Sequence, residues 1–270
     1  MKHLLIVGFG DIARRATAPL ERGFTLLPLS RRHGMDLDRP GTLALPNVDA
    51  VLHLAPPPPS GERDTRTAHL LAALEITGSW PERVVYVSTS GVYGDCGGAR
   101  VDETRPTAPQ TPRAKRRLDA ERQLSGWCTA HSCALVILRA PGIYAADRLP
   151  LERLRAPVVR AEEDVYTNHI HADDLAAIVV RALEPDAPPG IYNACDDSEI
   201  KMGDWFDLVA QRFGLERPAR LSRTQLDKAS SFMNESRRLD NRRMKSLLGI
   251  ELRYPTVHEG LRNEHAVGID

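Results

Sequence analysis

His3-Leu-Leu-Ile-Val-Gly-Phe-Gly-Asp-Ile-Ala13 decides the fold of this chain. The apolar run Leu4 to Val7 stops at Gly8; Gly10 follows two residues later and Ala13 three after that. This order reads as a buried strand, a tight turn and the start of a helix, in the G-x-G-x-x-G/A form of a dinucleotide-binding turn. Gly8 permits the sharp turn, and Gly10, lacking a Cβ, lets a pyrophosphate approach the backbone. Ala13 lets the helix pack close to the sheet. The free N–H groups and partial positive charge of a helix N-terminus favour phosphate. Gly8, Phe9, Gly10, Asp11 and Ile12 are therefore the candidate phosphate-binding residues.

The chain outside this stretch sets bounds. Its 270 residues suffice for one large α/β domain, or for a domain with a small appendage. A hydrophobic content of 42% supports a full core. Net charge is zero, so no global field favours nucleic acid or a membrane surface. Cys96, Cys128, Cys133 and Cys195 form no C-x-x-C pair and no zinc-type cluster with histidine; no metal is expected. They read as reduced thiols, as in a cytoplasmic protein. The N-terminus enters a strand at once, so no signal peptide is expected, and no apolar run approaches membrane-spanning length.

Beyond the turn, a helix is expected from about Ile12 to Arg22 and a strand from Phe24 to Leu29. Ser30-Arg31-Arg32 follows, where an NAD site places an Asp or Glu for the ribose 2′-hydroxyl. A hydroxyl and two guanidiniums suit a 2′-phosphate, and hence NADP, through charge-assisted bonds; two solvated loop arginines are the alternative. Asp36-Leu37 could contact adenine or could be plain loop. Val48 to Leu54 is the next strand, ending His53-Leu54-Ala55, and then Pro56 to Pro59 turn the chain out stiffly. Those prolines read as a cofactor wall or as a rigid linker. A helix over Arg66–Ile76 and a strand over Arg83–Ser88 lead into Ser88-Thr89-Ser90-Gly91-Val92-Tyr93-Gly94.

Val84-Val-Tyr-Val-Ser-Thr-Ser-Gly-Val-Tyr-Gly94 resembles the strand and active-site loop of the extended short-chain dehydrogenase/reductase superfamily, the epimerase/dehydratase family. Val51–Ala55 resembles its third-strand motif. Leu138-Arg-Ala-Pro141-Gly142-Ile143-Tyr144 resembles the loop that wraps the nicotinamide. Asn168–Ala176 resembles its H-x-D-D segment, and Gly190–Asn193 the last strand of the nucleotide domain. The resemblance implies a doubly wound, mostly parallel Rossmann-type sheet with the cofactor across its carboxyl edge, and Ser88, Pro141, Gly142 and Ile143 beside it. It also implies a catalytic hydroxyl at Thr89, with Ser90 as neighbour, acting on a substrate carbonyl or hydroxyl. Ser and Thr are common at strand-end turns in any case.

One part of the family pattern is absent. A Tyr-x-x-x-Lys should open a long helix ahead of an Ala-Glu. Aligned on Ala120-Glu121, Arg113 stands at the Tyr position and Arg117 at the Lys position; alignment on Lys115 puts Thr111 at the Tyr position. A guanidinium exchanges no proton near neutrality. Arg117 could still hold ribose hydroxyls, or both arginines could belong to a solvated helix face. Tyr144, after the nicotinamide loop, is the first substitute acid–base group by position. His169 and His171 with Asp173 and Asp174 read as structural, with either Asp capping the helix Leu175–Leu183.

Residues 1–195 thus read as the dinucleotide domain and 196–270 as a small C-terminal substrate-side unit, with helices over Met202–Phe213 and Asn241–Leu248. Three functions stay open. The first is an NADP-dependent oxidoreductase or epimerase-like enzyme on a small, possibly sugar-nucleotide-like, substrate. The second is a dehydratase or isomerase using another base. The third is a non-enzymatic NADP sensor or scaffold. The helix Arg113–Leu124 offers a face that a homodimer could bury.

Overall fold

The computed structural model describes residues 1–225 and 235–263. In chain order the elements are β1 (Lys2–Val7), α1 (Asp11–Leu20), β2 (Phe24–Leu29), β3 (Ala50–His53), α2 (Thr65–Thr77), β4 (Arg83–Thr89) and β5 (Arg100–Val101). Next come α3 (Pro112–Ala130), β6 (Ala134–Ala140), β7 (Gly142–Tyr144), β8 (Val158–Val159), β9 (Tyr166–Thr167), β10 (His169–His171), α4 (Ala172–Leu183) and β11 (Gly190–Asn193). The chain continues through β12 (Ile200–Lys201), α5 (Met202–Phe213), β13 (Arg220–Leu221), β14 (Arg238–Leu239), α6 (Arg242–Leu248) and α7 (Val257–Asn263).

Six of these strands form one parallel sheet in the order β11-β6-β4-β3-β1-β2. The alternation of β1 explains why helices cover both faces. Leu4 and Ile6 join one core with α1 and α4; Leu5 and Val7 join a second with α2 and α3. A strand buried on both faces must be apolar throughout, as Leu4–Val7 is. The order reverses at β1, whose neighbours are β2 and β3, so the crevice at its carboxyl end is the ligand position expected of a doubly wound sheet.

Local signals set the helix ends. Asp64 accepts from the Thr67 N–H (3.1 Å) at the start of α2, and Gly78 closes it at φ +66°. Thr111 accepts from the Ala114 N–H (3.2 Å) ahead of Pro112, opening the 19-residue α3. The cap of α4 differs from the sequence expectation. His171 Nδ1 accepts from the Asp173 N–H (3.1 Å), so neither Asp173 nor Asp174 caps. The Asp174 carboxylate instead accepts the Arg253 and Tyr254 amides (2.8 and 2.9 Å) and staples the C-terminal segment to α4.

The expected C-terminal unit, 196–270, extends partly outside the described residues. Three short pairs, β5 with β14, β8 with β13 and β9 with β12, stitch its described part to the main body. A third core gathers Trp205, Phe206, Val209, Val257 and Leu261 with Tyr144, Leu154 and Val158. Met244 and Leu248 of α6 pack into the core of α1 and α4. The apolar cores therefore do not divide at residue 195. Among the described residues, no helix is long and apolar enough to cross a membrane.

Candidate functional site

The two glycines of the first turn are needed for different reasons. Gly8 has φ +91°, and a Cβ there would lie 2.7 Å from the Ala55 backbone. Around Gly10 a Cβ would meet nothing within 4 Å. The space it leaves belongs to a cavity of ≈ 210 Å³ lined by Gly8, Gly10, Asp11, Ile12 and Ala13 on one side. Leu54, Ser88, Thr89, Arg113, Arg117, Pro141, Ile143 and Arg148 line the rest. No side chain caps α1, so its first-turn amides face a ligand position. This cradle fits a dinucleotide pyrophosphate. Phe9 lies outside it, packed against the core.

Asp11, an acid beside that cradle, is held by two arginines: Arg15 (3.0 Å) and Arg148 (2.8 Å). Burial pushes its carboxyl up, but the Arg148 hydrogen bond and the Arg15 charge outweigh this and hold it below the usual range. Arg15 also takes Asp173 (2.6 Å) and Asp147 (2.8 Å). The pair thereby clasps segment 146–148 and the start of α4 to α1.

At the end of β2, the Leu29 carbonyl accepts the Gly8 N–H (3.1 Å), which sets Ser30 next to the turn. Ser30 Oγ shares a hydrogen bond with His33 Nδ1 (2.8 Å). Arg31 and Arg32 are exposed, and neither makes a hydrogen bond or ion pair among the described residues. The expectations for Leu37 and His53 need correction, and Asp36 is tied into its own turn. Leu37 is a core side chain, 6% exposed, and the Asp36 carboxylate is engaged by the Asp38 N–H within its own turn. His53 is fully buried behind the cavity, with Nε2 on Thr67 Oγ1 (3.0 Å). Burial, with the Arg117 charge, holds it down to about pKa 3, so it is neutral. Ala55 is buried and abuts Gly8. Arg66 fixes the proline segment, donating to the Pro56 and Pro57 carbonyls (3.0 and 3.2 Å) and to both Asp38 oxygens (2.8 and 2.6 Å).

Thr89 ends β4, where its Oγ1 accepts the Gly91 N–H (3.2 Å) and shapes the 3₁₀ turn Ser90–Tyr93. With that lone pair occupied, its O–H has no acceptor among the described residues and can donate to a ligand. Beneath it, Ser88 Oγ donates to Glu121, which pairs with Arg139 through Nε (3.2 Å) and a terminal nitrogen (2.7 Å). Both partners of that ion pair are 4% exposed. Arg139 lies 4.8 Å over the Tyr93 ring, and the Tyr93 hydroxyl donates to Asn193 (2.8 Å). A buried polar chain thus ties β4, α3, β6 and β11 under the turn that carries Thr89.

Arg117 is buried, donating to the Ala55 and Val87 carbonyls (3.3 and 3.0 Å) and the Tyr86 hydroxyl (3.0 Å), while its Nε has no partner among the described residues. Arg113, one turn earlier, has no hydrogen bond or ion pair among the described residues. Although it is exposed, lost solvation, then the charges of Arg117 and Arg116, lower its pKa. Tyr144 requires a further correction. It is 1% exposed, its hydroxyl donates to the Thr256 carbonyl (3.4 Å), and Gly260 makes room for its ring. It lines neither this cavity nor the one that opens beside it.

A second cavity, of ≈ 480 Å³, opens from the first across Thr89, Arg113, Pro141, Ile143 and Arg148. Ser90 and Gly142 join its wall, together with Arg153, Asn168, His169, Phe206 and Arg237. Burial holds His169 down to about pKa 3, so it too is neutral. Sequence reasoning singled out none of Arg148, Arg153 or Arg237. Residues 150–165 are rich in Arg and Glu but carry no motif that picks out Arg153, and Arg237 arrives from 68 positions beyond His169 with no local motif.

The sequence model described as the NAD dependent epimerase/dehydratase family matches residues 42–195. Protein YeeZ of Escherichia coli (strain K12) is 28% identical over 217 residues, 78% of this chain and 74% of its own. A conserved protein of unknown function from Silicibacter pomeroyi DSS has a solved structure with TM-score 0.80, 28% identity and 97% coverage of both chains. RMD from Pseudomonas aeruginosa, solved with NADPH, superimposes at TM-score 0.76 over 97% of both chains; at 21% identity this speaks for the fold alone. The matched segment is more than half of the chain and holds the Thr89 turn, α3 and the Pro141 loop, and on that match the chain belongs to the NAD dependent epimerase/dehydratase family.

Proposed function

We propose that this protein is an NADP(H)-dependent oxidoreductase acting on a small carbonyl or hydroxyl compound. One observation carries the reading: Thr89, with a hydroxyl hydrogen free to donate, stands where the dinucleotide cradle opens into a second cavity. Gly10 and the first-turn amides of α1 hold the pyrophosphate, Arg31 and Arg32 the 2′-phosphate, and Arg117 the ribose side of the cavity. When bound, NADP(H) supplies or accepts a hydride. Thr89 donates to the substrate oxygen and orients it. Arg113 stabilises negative charge on that oxygen or beside it, without exchanging a proton. The proton therefore comes from water or from the substrate.

Calorimetric titration with NADPH and NADH tests the reading. NADPH should bind more tightly, and Arg31→Ala with Arg32→Ala should selectively weaken it by about 1.5–3 kcal/mol for each charge-assisted bond lost. Gly10→Val should abolish binding with little change in melting temperature, because its side chain enters the cradle and no protein atom. An NADH preference would overturn the NADP assignment. Tight NADPH binding with no turnover across a broad carbonyl panel would favour a sensor over an enzyme.

A further inference from the structure

We propose that the second cavity seats an anionic group of the substrate, a carboxylate or a phosphate, against Arg113 beside Thr89. The inference rests on the function proposed above and names its substrate class. The charged side chains lining the cavity are Arg113, Arg148, Arg153 and Arg237 against one acid, Glu235. Glu235 is already paired with Arg237, and that pair is buried. Arg148 meets Asp11 through one terminal nitrogen, and a guanidinium carries five N–H donors, so most of its donors stay available. His169, neutral at physiological pH, adds no charge.

Of the arginines lining this cavity, Arg113 is the one whose charge no described residue answers. It has no carboxylate or carbonyl partner among the described residues. It is the second residue of α3, where the helix dipole opposes a cation, and Arg116 and Arg117 follow within one turn. A cation placed against its neighbours and its helix is stabilised by a ligand anion. A forked guanidinium matches the two oxygens of a carboxylate or phosphate. Because Arg113 and Thr89 line both cavities, that anion lies close to the oxygen Thr89 orients. The remaining wall, including Tyr166, Asn168, Met202 and Phe206, is uncharged and suits a neutral body. The cavity's ≈ 480 Å³ suits a small molecule.

The test is calorimetric titration of oxalate and of inorganic phosphate into the NADPH-saturated protein, wild type and Arg113→Gln, with Arg113→Lys as the charge-keeping control. At least one anion should bind the wild type at millimolar concentration. Binding should weaken about tenfold or more in Arg113→Gln, the loss of one charge-assisted contact, and largely return in Arg113→Lys. Binding that is equal in wild type and Arg113→Gln, or absent from the wild type, overturns the proposal. Should Arg113→Gln fail to fold by circular dichroism, Arg153→Gln, which lines this cavity and not the first, is held to the same outcomes. NADPH is titrated separately. If it does not bind, the proposed function falls, while anion titration of the protein alone still decides the subsite.

Discussion

The two cavities share Thr89, Arg113, Pro141, Ile143 and Arg148 but are assembled differently. A third of the first cavity's lining comes from one contiguous stretch, in which strand, turn and helix follow within a dozen residues. On that stretch its polar groups are backbone amides and the Asp11 carboxylate. The second draws on the Thr89 turn, the start of α3, the loop after β6, β9, β10, α5 and the segment before β14. Its polar groups are side chains brought together only by the tertiary fold. A backbone cradle built locally can serve any dinucleotide, whereas a cage built from distant side chains can be respecified one residue at a time. The contrast matches a family that holds one cofactor class and varies its substrates.

A change beneath the shared wall should damage both cavities at once, and this is the largest effect expected. Glu121→Leu leaves Arg139 and Ser88 without their buried partner and should cost about 3–5 kcal/mol in urea unfolding, with NADPH binding and anion binding failing together. If only one of them fails, the polar chain does not join the two regions. Thr89→Val should separate them. Turnover should fall about 10²–10³-fold, the range for one positioned donor, while NADPH affinity holds. A parallel loss of NADPH affinity would place Thr89 in the cofactor cradle alone.

Each region also hides a neutral histidine, His53 behind the first and His169 on the second. Both have folded-state values near 3, against about 6.5 in an unfolded chain. The unfolded chain therefore takes up protons first. Stability is full above pH 6.5 and falls as pH drops from 6.5 towards 3, by up to about 1.4 kcal/mol per pH unit for each histidine. Equilibrium unfolding across that window should show the decline, and a flat profile would contradict the burial of both rings. The smallest effect belongs to Tyr144→Phe, which lies outside both cavities. It should cost about 0.5–1.5 kcal/mol, one hydrogen bond, with kcat unchanged. A fall in kcat would return Tyr144 to the site.

The sequence was most informative where cause and effect are close along the chain. The Leu4–Val7 run, the glycines of the turn, the bounds of β2 and α5 and the Ala120-Glu121 on α3 could all be read directly. Tyr144 was misjudged because it neighbours Ile143 on a strand. Adjacent strand residues face opposite ways, so Ile143 lines the cavities and Tyr144 enters the third core. Leu37 failed similarly, since an apolar residue in an apparent loop is drawn inward by the core beneath it. The cap of α4 lies earlier than expected because a histidine ring nitrogen, an uncommon acceptor at that position, takes the amide. Arg148 and Arg237 carry no local signature, as their roles exist only once segments 90 or more residues apart meet.

The clasp of Arg15 and Arg148 with Asp11, Asp147 and Asp173 has a consequence in solution. It is only partly sheltered, with the side chain of Arg15 at 23% exposure and that of Asp147 at 59%. Mobile ions screen such contacts over a Debye length of about 8 Å at physiological ionic strength and about 3 Å in molar salt. The segment it holds, 146–148, carries Arg148 and so walls both cavities. Concentrated salt therefore weakens the clasp and, with it, the hold on the wall that the two cavities share.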